Sequence, residues 1–357
     1  MRKILLGIAL VLSFCVLTAC TAGNEPEVVG QLKVSYIDVG QGDSELIQAG
    51  GKTMLIDAGT NDSTDTLLNY LNNAGVKKID YFVLTHPHED HIGGADAVIN
   101  SYPVGQIYMP KVTAATKTFE DVVMAMNKTG LKAIVPKPGT SFRLGEATCI
   151  ILSPINSDPG NLNTYSIVLK MTYGREKFLF MGDATSSNEA DMIAKGYDLS
   201  ANVLKLGHHG SSTSTSEAFL NKVKPKYAVV SCGKGNDYGH PHLETMNKLK
   251  TKGIIVYRTD ESGTIVCRSE GKTLSFDVKP GDYKSGNGIA ASTAGLSTAK
   301  QATAVQNKGM IVYITKSGKC YHLAGCEGLT RSKIAINLAD AKKKGYRPCS
   351  ICHPPQK

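Results

Sequence analysis

The chain of 357 residues lacks tryptophan, shows no internal repeat and contains no long apolar run beyond its first 20 residues. The missing repeat excludes a solenoid or a propeller, in which similar segments recur at a fixed period. A membrane-spanning helix needs about 20 apolar residues, so we expect everything after the N-terminal segment to lie outside the bilayer. The hydrophobic fraction of 41% is enough for a sizeable core, and the length indicates one large domain with an appendage.

The net charge of +9 favours an anionic partner, such as DNA or another anionic phosphodiester polymer, teichoic acid or a lipid surface. Charge alone does not choose among these partners, and no protein partner can be inferred from the sequence.

The N-terminus has the layout of a secretory signal. Arg2 and Lys3 precede an apolar run that ends in the small residues of LTAC. This ending resembles a bacterial lipobox, which implies lipidation of Cys20 and a mature chain anchored on the outer side of the cell membrane. An uncleaved membrane helix is the alternative, but the run is short for a span. We therefore predict a signal peptide at 1–20 and a tether at 21–31.

Short apolar strands dominate the next part of the chain, with Gly-containing turns between the first of them and a few helical stretches among the later ones. This pattern predicts an α+β domain over 32–279, in which two sheets pack together with helices outside. The segment 280–308 is rich in Gly, Ala, Ser and Thr and is predicted to be a flexible linker. A basic module over 309–357 follows it.

The segment THPHEDHIGG, residues 85–94, follows an apolar strand and concentrates imidazole and carboxylate groups. His-x-His spacing suits two nitrogen ligands on one metal, and the adjacent Asp-His pair suits a second metal. A polar loop with chance histidines is a poor explanation for four such residues in six positions.

This segment resembles the His-x-His-x-Asp-His signature of the metallo-β-lactamase superfamily. LIDAG, FLFMGDA, LKLGHHGS and YAVVSCGKGNDYGHP follow in the order seen in its ComEC/Rec2 branch of competence proteins. The likeness covers residues 32–278 and implies an αββα sandwich with the site along one edge of the two sheets.

The resemblance also implies a ligand set for two divalent metals, zinc or manganese. One metal would take His86 and His88, the second would take Asp90 and His91, and Asp183 would bridge them. One histidine of the His208-His209 pair would complete the second site, and the sequence does not decide which. Whether one or two metals bind stays open.

Asp57 and His240 are counted with Asp90 among the catalytic residues. Asp57 is expected to accept a hydrogen bond from a ligand histidine, although a turn-capping aspartate is the alternative. His240 is expected to protonate a leaving oxygen or to stabilise a developing oxyanion. A loop histidine without such a role is the alternative.

One departure from the family pattern concerns a histidine that precedes the bridging aspartate in better-known members. The corresponding stretch, GNLNTYSIVLK, contains Asn163 and Ser166 but no histidine. We expect these two residues to contact the substrate, for instance a phosphate oxygen. A buried structural asparagine is an equal alternative.

Metal-assisted hydrolysis is the reaction that the resemblance implies. Cys149, Cys232 and Cys267 lie in strand-like runs and are predicted to be core rather than nucleophiles. The basic charge favours a phosphodiester, with DNA as the first choice and a teichoic-acid or phosphorylcholine diester as the second. A surface DNA-binding protein with a vestigial hydrolase site is a third hypothesis.

The C-terminal module contains CYHLAGC and YRPCSIC, and it resembles the metal-binding domain of the DNA-repair protein Ada. Residues His322, Cys326, Cys349 and Cys352 form a set of one nitrogen and three sulfurs, which predicts one structural zinc. Cys320 is extra in that comparison. Outside the membrane the four cysteines of the module, that is Cys320 and the three of this set, could instead form two disulfides. Lys342, Lys343, Lys344 and Arg347 would meet phosphates or form a solvated helix face.

Overall fold

A computed structural model of the protein describes residues 30–289, 311–315, 318–323, 334–349 and 352. Signal peptide 1–20, most of the tether, most of the linker and Cys326 lie outside the described residues. Within the described part, no helix combines the length and the apolar character that crossing a bilayer would require.

The strands of the described chain alternate with helices only after the first three strands. The strands are β1 (Leu32–Tyr36), β2 (Glu45–Ala49), β3 (Lys52–Ile56), β4 (Ile79–Val83), β5 (Val104–Tyr108), β6 (Ala133–Ile134), β7 (Ser141–Leu144), β8 (Ala147–Ser153), β9 (Val168–Tyr173), β10 (Glu176–Phe180), β11 (Val203–Lys205), β12 (Tyr227–Val230), β13 (Ile255–Arg258), β14 (Ile265–Ser269), β15 (Leu274–Phe276), β16 (Ile311–Ile314), β17 (Cys320–His322), β18 (Ile334–Asn337) and β19 (Arg347–Pro348). The helices are α1 (Thr64–Asn73), α2 (Glu89–Ile92), α3 (Ala95–Ser101), α4 (Lys117–Thr129), α5 (Ser186–Ala194), α6 (Glu217–Val223), α7 (Leu243–Thr251), α8 (Thr259–Ser262) and α9 (Leu338–Lys343). Short 3-10 turns lie at Asn61–Ser63, Leu162–Tyr165 and Gly207–Gly210.

Two large sheets form the body of the protein. The first sheet has the order β15-β14-β1-β2-β3-β4-β5-β6, and the second has the order β13-β12-β11-β10-β9-β8-β7. Side chains from the inner faces of both sheets, such as Tyr36 and Met54 of the first and Leu169 and Phe180 of the second, form one core cluster. Helical residues such as Leu67 and Val122 pack on the outer face of the first sheet, and Phe219 and Leu249 pack on that of the second. The predicted αββα sandwich is therefore confirmed.

Parallel pairing explains where this fold can place a site. In the first sheet β3, β4 and β5 are parallel neighbours, with Ile56 opposite Val83. In the second sheet β10, β11, β12 and β13 are parallel, with Phe180 opposite Lys205. Parallel strands end at the same edge of a sheet, so the loops that follow them converge there.

The linker predicted at 280–308 starts too early. Gly281 donates to Val256 O at 2.8 Å, and Gly286 donates to Pro241 O at 2.9 Å. The hydroxyl of Tyr283 donates to Ile254 O at 2.7 Å. These bonds hold the described residues up to 289 against the large domain, a role that their Gly-rich composition concealed.

A smaller sheet of order β18-β16-β17-β19 forms the described part of the C-terminal module. Its buried core consists of Val312, Ile314, Tyr321, Leu338 and Ala341. Among the described residues this core is small, and small cores contribute little stability by themselves.

Candidate metal centre

The residues of the His-x-His-x-Asp-His segment meet those of one earlier and two later loops at the carboxyl ends of the parallel strands. Asp57 follows β3, the histidine segment follows β4, Asp183 follows β10, and His208 and His209 follow β11. The close approach of one further loop requires a glycine: a Cβ on Gly42 would collide with the backbone oxygen of Asp90. Asp43 N donates to that same oxygen at 3.1 Å.

Three groups of ligand atoms converge at this edge, and the atoms of each group lie within 4.8 Å of one another. One of them, formed by Asp43, Asp57 and His91, is fully buried. What we call the first cluster consists of His86, His88 and Asp183. The second cluster consists of Asp90, His91, Asp183 and His209. Both clusters contain Asp183. This grouping agrees with the expectation that His86 and His88 share one metal, that Asp90 and His91 share another, and that Asp183 contacts both.

The second cluster has the donor set of a divalent metal site. His91 Nε2 lies 3.2 Å and His209 Nε2 lies 3.5 Å from Asp183 Oδ1, and all three atoms are buried without a hydrogen-bond partner. Orphaned buried polar atoms are rare and costly. Imidazole nitrogen and carboxylate oxygen facing one another are what a divalent metal requires, so these residues fit a divalent metal site.

Asp57 fixes the orientation of histidines in both clusters. Its Oδ2 lies 2.7 Å from His91 Nδ1 and accepts from Thr85 Oγ1 at 2.7 Å, while its Oδ1 accepts from Thr85 N at 2.7 Å. Since the Thr85 hydroxyl proton points to Asp57, His86 Nδ1, 3.1 Å away, donates to that hydroxyl oxygen. The Nδ1 atoms of both histidines are thus engaged, which turns Nε2 of each toward the cluster, where His86 Nε2 lies 2.9 Å from His88 Nδ1.

The adjacent residues His208 and His209 have different surroundings. His209 Nε2 faces Asp90 and Asp183 at 3.3 and 3.5 Å, and His209 Nδ1 donates to Ser231 O at 2.9 Å. His208 Nε2 lies 3.7 Å from the other oxygen of Asp183 and 3.4 Å from Asn163 Nδ2, and its side chain is 25% exposed. Both residues have a positive φ, 51° and 53°, so the tight turn points two consecutive side chains into one cleft.

Electrostatics in the second cluster balance without a metal. Burial acts to lower the pKa of His91, but Asp183, Asp57 and Asp90 outweigh it and raise the pKa well above that of an ordinary histidine. Burial also opposes protonation of His209, yet Asp183 and Asp43 raise its pKa to about 10. Protonated His91 and His209 thus compensate the buried carboxylates, and a metal that binds them must displace their protons.

A buried ion pair behind the second cluster was missed by sequence reasoning. Lys205 Nζ lies 2.6 Å from Asp43 Oδ2, and both side chains are 1% exposed. Asp43 Oδ1 in turn lies 3.2 Å from His209 Nδ1. A lysine at the end of the apolar run ANVLKLG was the available signal, but its partner lies 162 residues away in the chain.

Ser166 does not take the substrate-binding position expected for it. The residue is fully buried, and its Oγ accepts from Asp183 N at 3.2 Å. Its hydroxyl therefore positions the backbone of the shared aspartate. Asn163 does line the cleft, is 8% exposed and carries an Oδ1 without a hydrogen-bond partner.

His240 stands beside the clusters, with its ring 5.4 Å from that of His208 and 5.9 Å from that of His209. Gln41 Oε1 accepts from Gly233 N at 3.1 Å, so Gln41 Nε2 faces His240 Nδ1, 3.4 Å away. The imidazole proton then resides on Nε2. Burial and the neighbouring His209 and His208 lower the pKa of His240 to about 2, so this ring is a neutral donor rather than an acid.

A cleft of about 500 Å³ opens onto both clusters. It is lined by Gln41, Thr60, His88, Glu89, Asp90, Asn163, Asp183, His208, His209, Tyr238 and His240. Cys149, Cys232 and Cys267 are buried elsewhere in the cores, so no cysteine nucleophile faces this cleft among the described residues.

A separate group of ligand atoms lies in the C-terminal module. Parallel pairing of β17 with β19 brings His322 beside Cys349, and together with Cys352 their ligand atoms lie within 4.8 Å. Leu323 N donates to Cys352 Sγ at 3.3 Å. Cys320 packs against Cys349, and none of the described cysteines forms a disulfide. The predicted fourth ligand, Cys326, lies outside the described residues.

Comparison with known proteins agrees with this geometry. The sequence model of the metallo-beta-lactamase superfamily matches residues 37–234. The chain belongs to this superfamily. Among curated proteins it is 33% identical to ComE operon protein 3 of Bacillus subtilis (strain 168) over 266 residues, which are 70% of this chain and 34% of that protein.

Two further relatives carry related names. Competence protein ComA of Neisseria gonorrhoeae is 34% identical over 246 residues, 67% of this chain and 33% of that protein. Recombination protein 2 of Haemophilus influenzae (strain ATCC 51907 / DSM 11121 / KW20 / Rd) is 30% identical over 241 residues, 65% of this chain and 28% of that protein. The predicted ComEC-like branch is confirmed, and the chain spans about a third of the length of these relatives.

Proposed function

We propose that the protein is a metal-dependent phosphodiesterase that cleaves DNA outside the cytoplasmic membrane, to which the lipid on Cys20 anchors it. The observation that carries the proposal is the pair of ligand clusters joined by Asp183. Relatives named for competence and recombination favour DNA as the polymer, and the net charge of +9 favours an anionic substrate.

In this proposal the first cluster holds one divalent metal, zinc or manganese, and the second cluster holds another. Two such metals supply activated water and neutralise the charge that develops on phosphoryl oxygens. Asp57 keeps His91 and His86 oriented, and Asp43 together with Ser231 O orients His209. His240 donates from Nε2 to an oxygen of the substrate as negative charge grows there.

The proposed role of His208 and Asn163 is to contact the substrate. Both side chains border the first cluster, where only His86, His88 and Asp183 converge among the described residues that commonly bind metals. His208 Nδ1 lies 2.9 Å from Thr213 Oγ1, which holds the ring while Nε2 faces the cleft.

The C-terminal module is proposed to bind one structural zinc through His322, Cys326, Cys349 and Cys352. A backbone N–H that donates to a cysteine sulfur, as Leu323 does to Cys352, is typical of the surroundings that stabilise a metal-bound thiolate. The zinc would add folding free energy to the small core formed by the described residues.

Hydrolysis of single- and double-stranded DNA by the chain from Asn24 onward, with added Mn²⁺ or Zn²⁺, tests the proposal. Asp183→Asn and His88→Ala are expected to abolish cleavage, whereas Asp65→Asn, an exposed change of the same charge on α1, is expected to retain it. Release of choline from wall polymer with DNA intact would replace the nuclease by a phosphorylcholine esterase. DNA binding without hydrolysis of any ester would favour the vestigial site.

A further inference from the structure

An exposed aromatic ring stands at the mouth of the cleft. Tyr238 lines the cleft, and 51% of its surface is exposed. No other Phe or Tyr belongs to the described residues that line the cleft.

The ring of Tyr238 is stacked on His240. Their centroids are 5.6 Å apart and their planes differ by 15°. Near-parallel planes at this centroid distance mean that the two rings are offset, so His240 supports the phenol ring at one side and leaves part of it exposed. A flat surface is thereby presented to solvent beside the clusters.

Hydrogen bonds on both sides of Tyr238 hold its loop in place. His242 Nδ1 accepts from Ser212 N at 2.9 Å, so His242 Nε2 carries the proton and donates to Tyr238 O at 3.1 Å. Asn236 bonds both the N–H and the carbonyl of His240, at 3.0 and 2.7 Å. Gly286 packs so closely on His240 O that a Cβ would collide with it.

The charges around the cleft limit how a substrate can bind. None of the described residues that line it is lysine or arginine, and Glu89 and Asp90 are acidic. Lysine and arginine side chains of the described lining therefore do not hold the phosphate groups inside the cleft. Stacking of bases on an aromatic ring is independent of sequence and strengthens binding about 5- to 100-fold per base.

We propose that Tyr238 is the platform on which a nucleobase next to the cleaved phosphodiester stacks, an inference that rests on the proposed function. The same aromatic face could attract a quaternary ammonium, but such cations are bound by cages of several aromatic rings. The single ring of this cleft, already backed by His240, suits a planar base.

The test compares two single-stranded probes of one length, one that carries 2-aminopurine bases and one in which every base is replaced by an abasic analogue. Both have phosphorothioate linkages, and Ca²⁺ replaces the reactive metal, so that binding is measured without cleavage. Fluorescence quenching of 2-aminopurine reports stacking directly, and anisotropy of an end label gives both affinities. Wild type is compared with Tyr238→Phe, Tyr238→Leu and, as an exposed control outside the cleft, Met124→Ala.

Wild type and Tyr238→Phe are expected to quench 2-aminopurine and to prefer the base-containing probe. Tyr238→Leu should lose the quenching and reduce the preference about 5- to 100-fold, and Met124→Ala should behave as wild type. Unchanged preference and quenching in Tyr238→Leu would overturn the platform while leaving the nuclease intact. If wild type neither binds nor cleaves nucleic acid, the result contradicts the proposed function and with it the platform. Loss of phosphorylcholine binding alone in Tyr238→Leu would assign the ring to a quaternary ammonium.

Discussion

In the large domain the candidate metal ligands stand at the ends of strands that two sheets already hold in place, whereas in the C-terminal module they lie beside a smaller sheet with five buried core residues among those described. The two sites also differ in what surrounds the ligands. Carboxylates and protonated histidines neutralise one another in the large domain. In the described part of the module, the sulfurs of Cys349 and Cys352 meet the imidazole of His322.

The two sites differ in what holds their ligands in place. The His/Asp centre is preorganised, because Asp57 and Asp43 fix ligand histidines through buried hydrogen bonds and short contacts that do not involve a metal. The Cys/His cluster is expected to depend on its metal for folding, as small metal-binding domains do.

Removal of metal by a chelator should affect the folding of the two sites most differently. We expect the amides of β16–β18 to lose all protection from hydrogen exchange, while those of the large sheets retain theirs. The reason is that the centre keeps its charge balance through protonated His91 and His209. Protection of β16–β18 that survives complete metal removal would contradict the comparison.

Asp183→Asn is expected to abolish hydrolysis, because one carboxylate belongs to both clusters. Binding isotherms for Mn²⁺ should show weakening of both sites rather than one. The exposed Asp65→Asn is the control for the lost charge. Retention of one site at wild-type affinity would show that Asp183 does not bridge.

Asp57→Asn should reduce metal affinity or activity about 10- to 100-fold, the usual effect of removing the partner of a ligand histidine. An amide offers one acceptor oxygen where the carboxylate now accepts from Thr85 and His91. Asp80→Asn is a matched control, since Asp80 accepts from Thr53 N within the same sheet but lies outside the centre. Equal losses in both variants would assign the effect of Asp57 to stability.

His208→Ala is expected to have the smallest effect on metal content, leaving occupancy close to that of wild type, whereas His209→Ala should empty the second cluster. Only His209 groups with Asp90, His91 and Asp183. Metal analysis of the two variants after dialysis checks this. Loss of metal from His208→Ala with retention in His209→Ala would reverse the assignment.

Local signals predicted much of the fold and the centre. The His-x-His-x-Asp-His segment and the strand-end aspartates Asp57 and Asp183 follow apolar strands, and parallel pairing makes such ends converge. The choice between His208 and His209 depended on two positive φ angles, which no spacing rule foresees.

Long-range contacts explain the remaining errors. Asp43 and Lys205 are joined across 162 residues, and neither has a local pattern that marks it as part of a site. Ser166 was expected, with Asn163, to contact substrate because one of the two stands where better-known members have a histidine, but its hydroxyl oxygen accepts from Asp183 N.

Metal content per chain tests the central claim most directly, namely that the centre holds two divalent metals joined by Asp183. The chain from Asn24 onward would be saturated with Zn²⁺, dialysed and analysed by mass spectrometry of the metal, beside Cys349→Ser/Cys352→Ser, which removes the C-terminal site. The two clusters predict two metals in this double variant and one more in wild type. A double variant that retains a single metal at saturation would contradict the account.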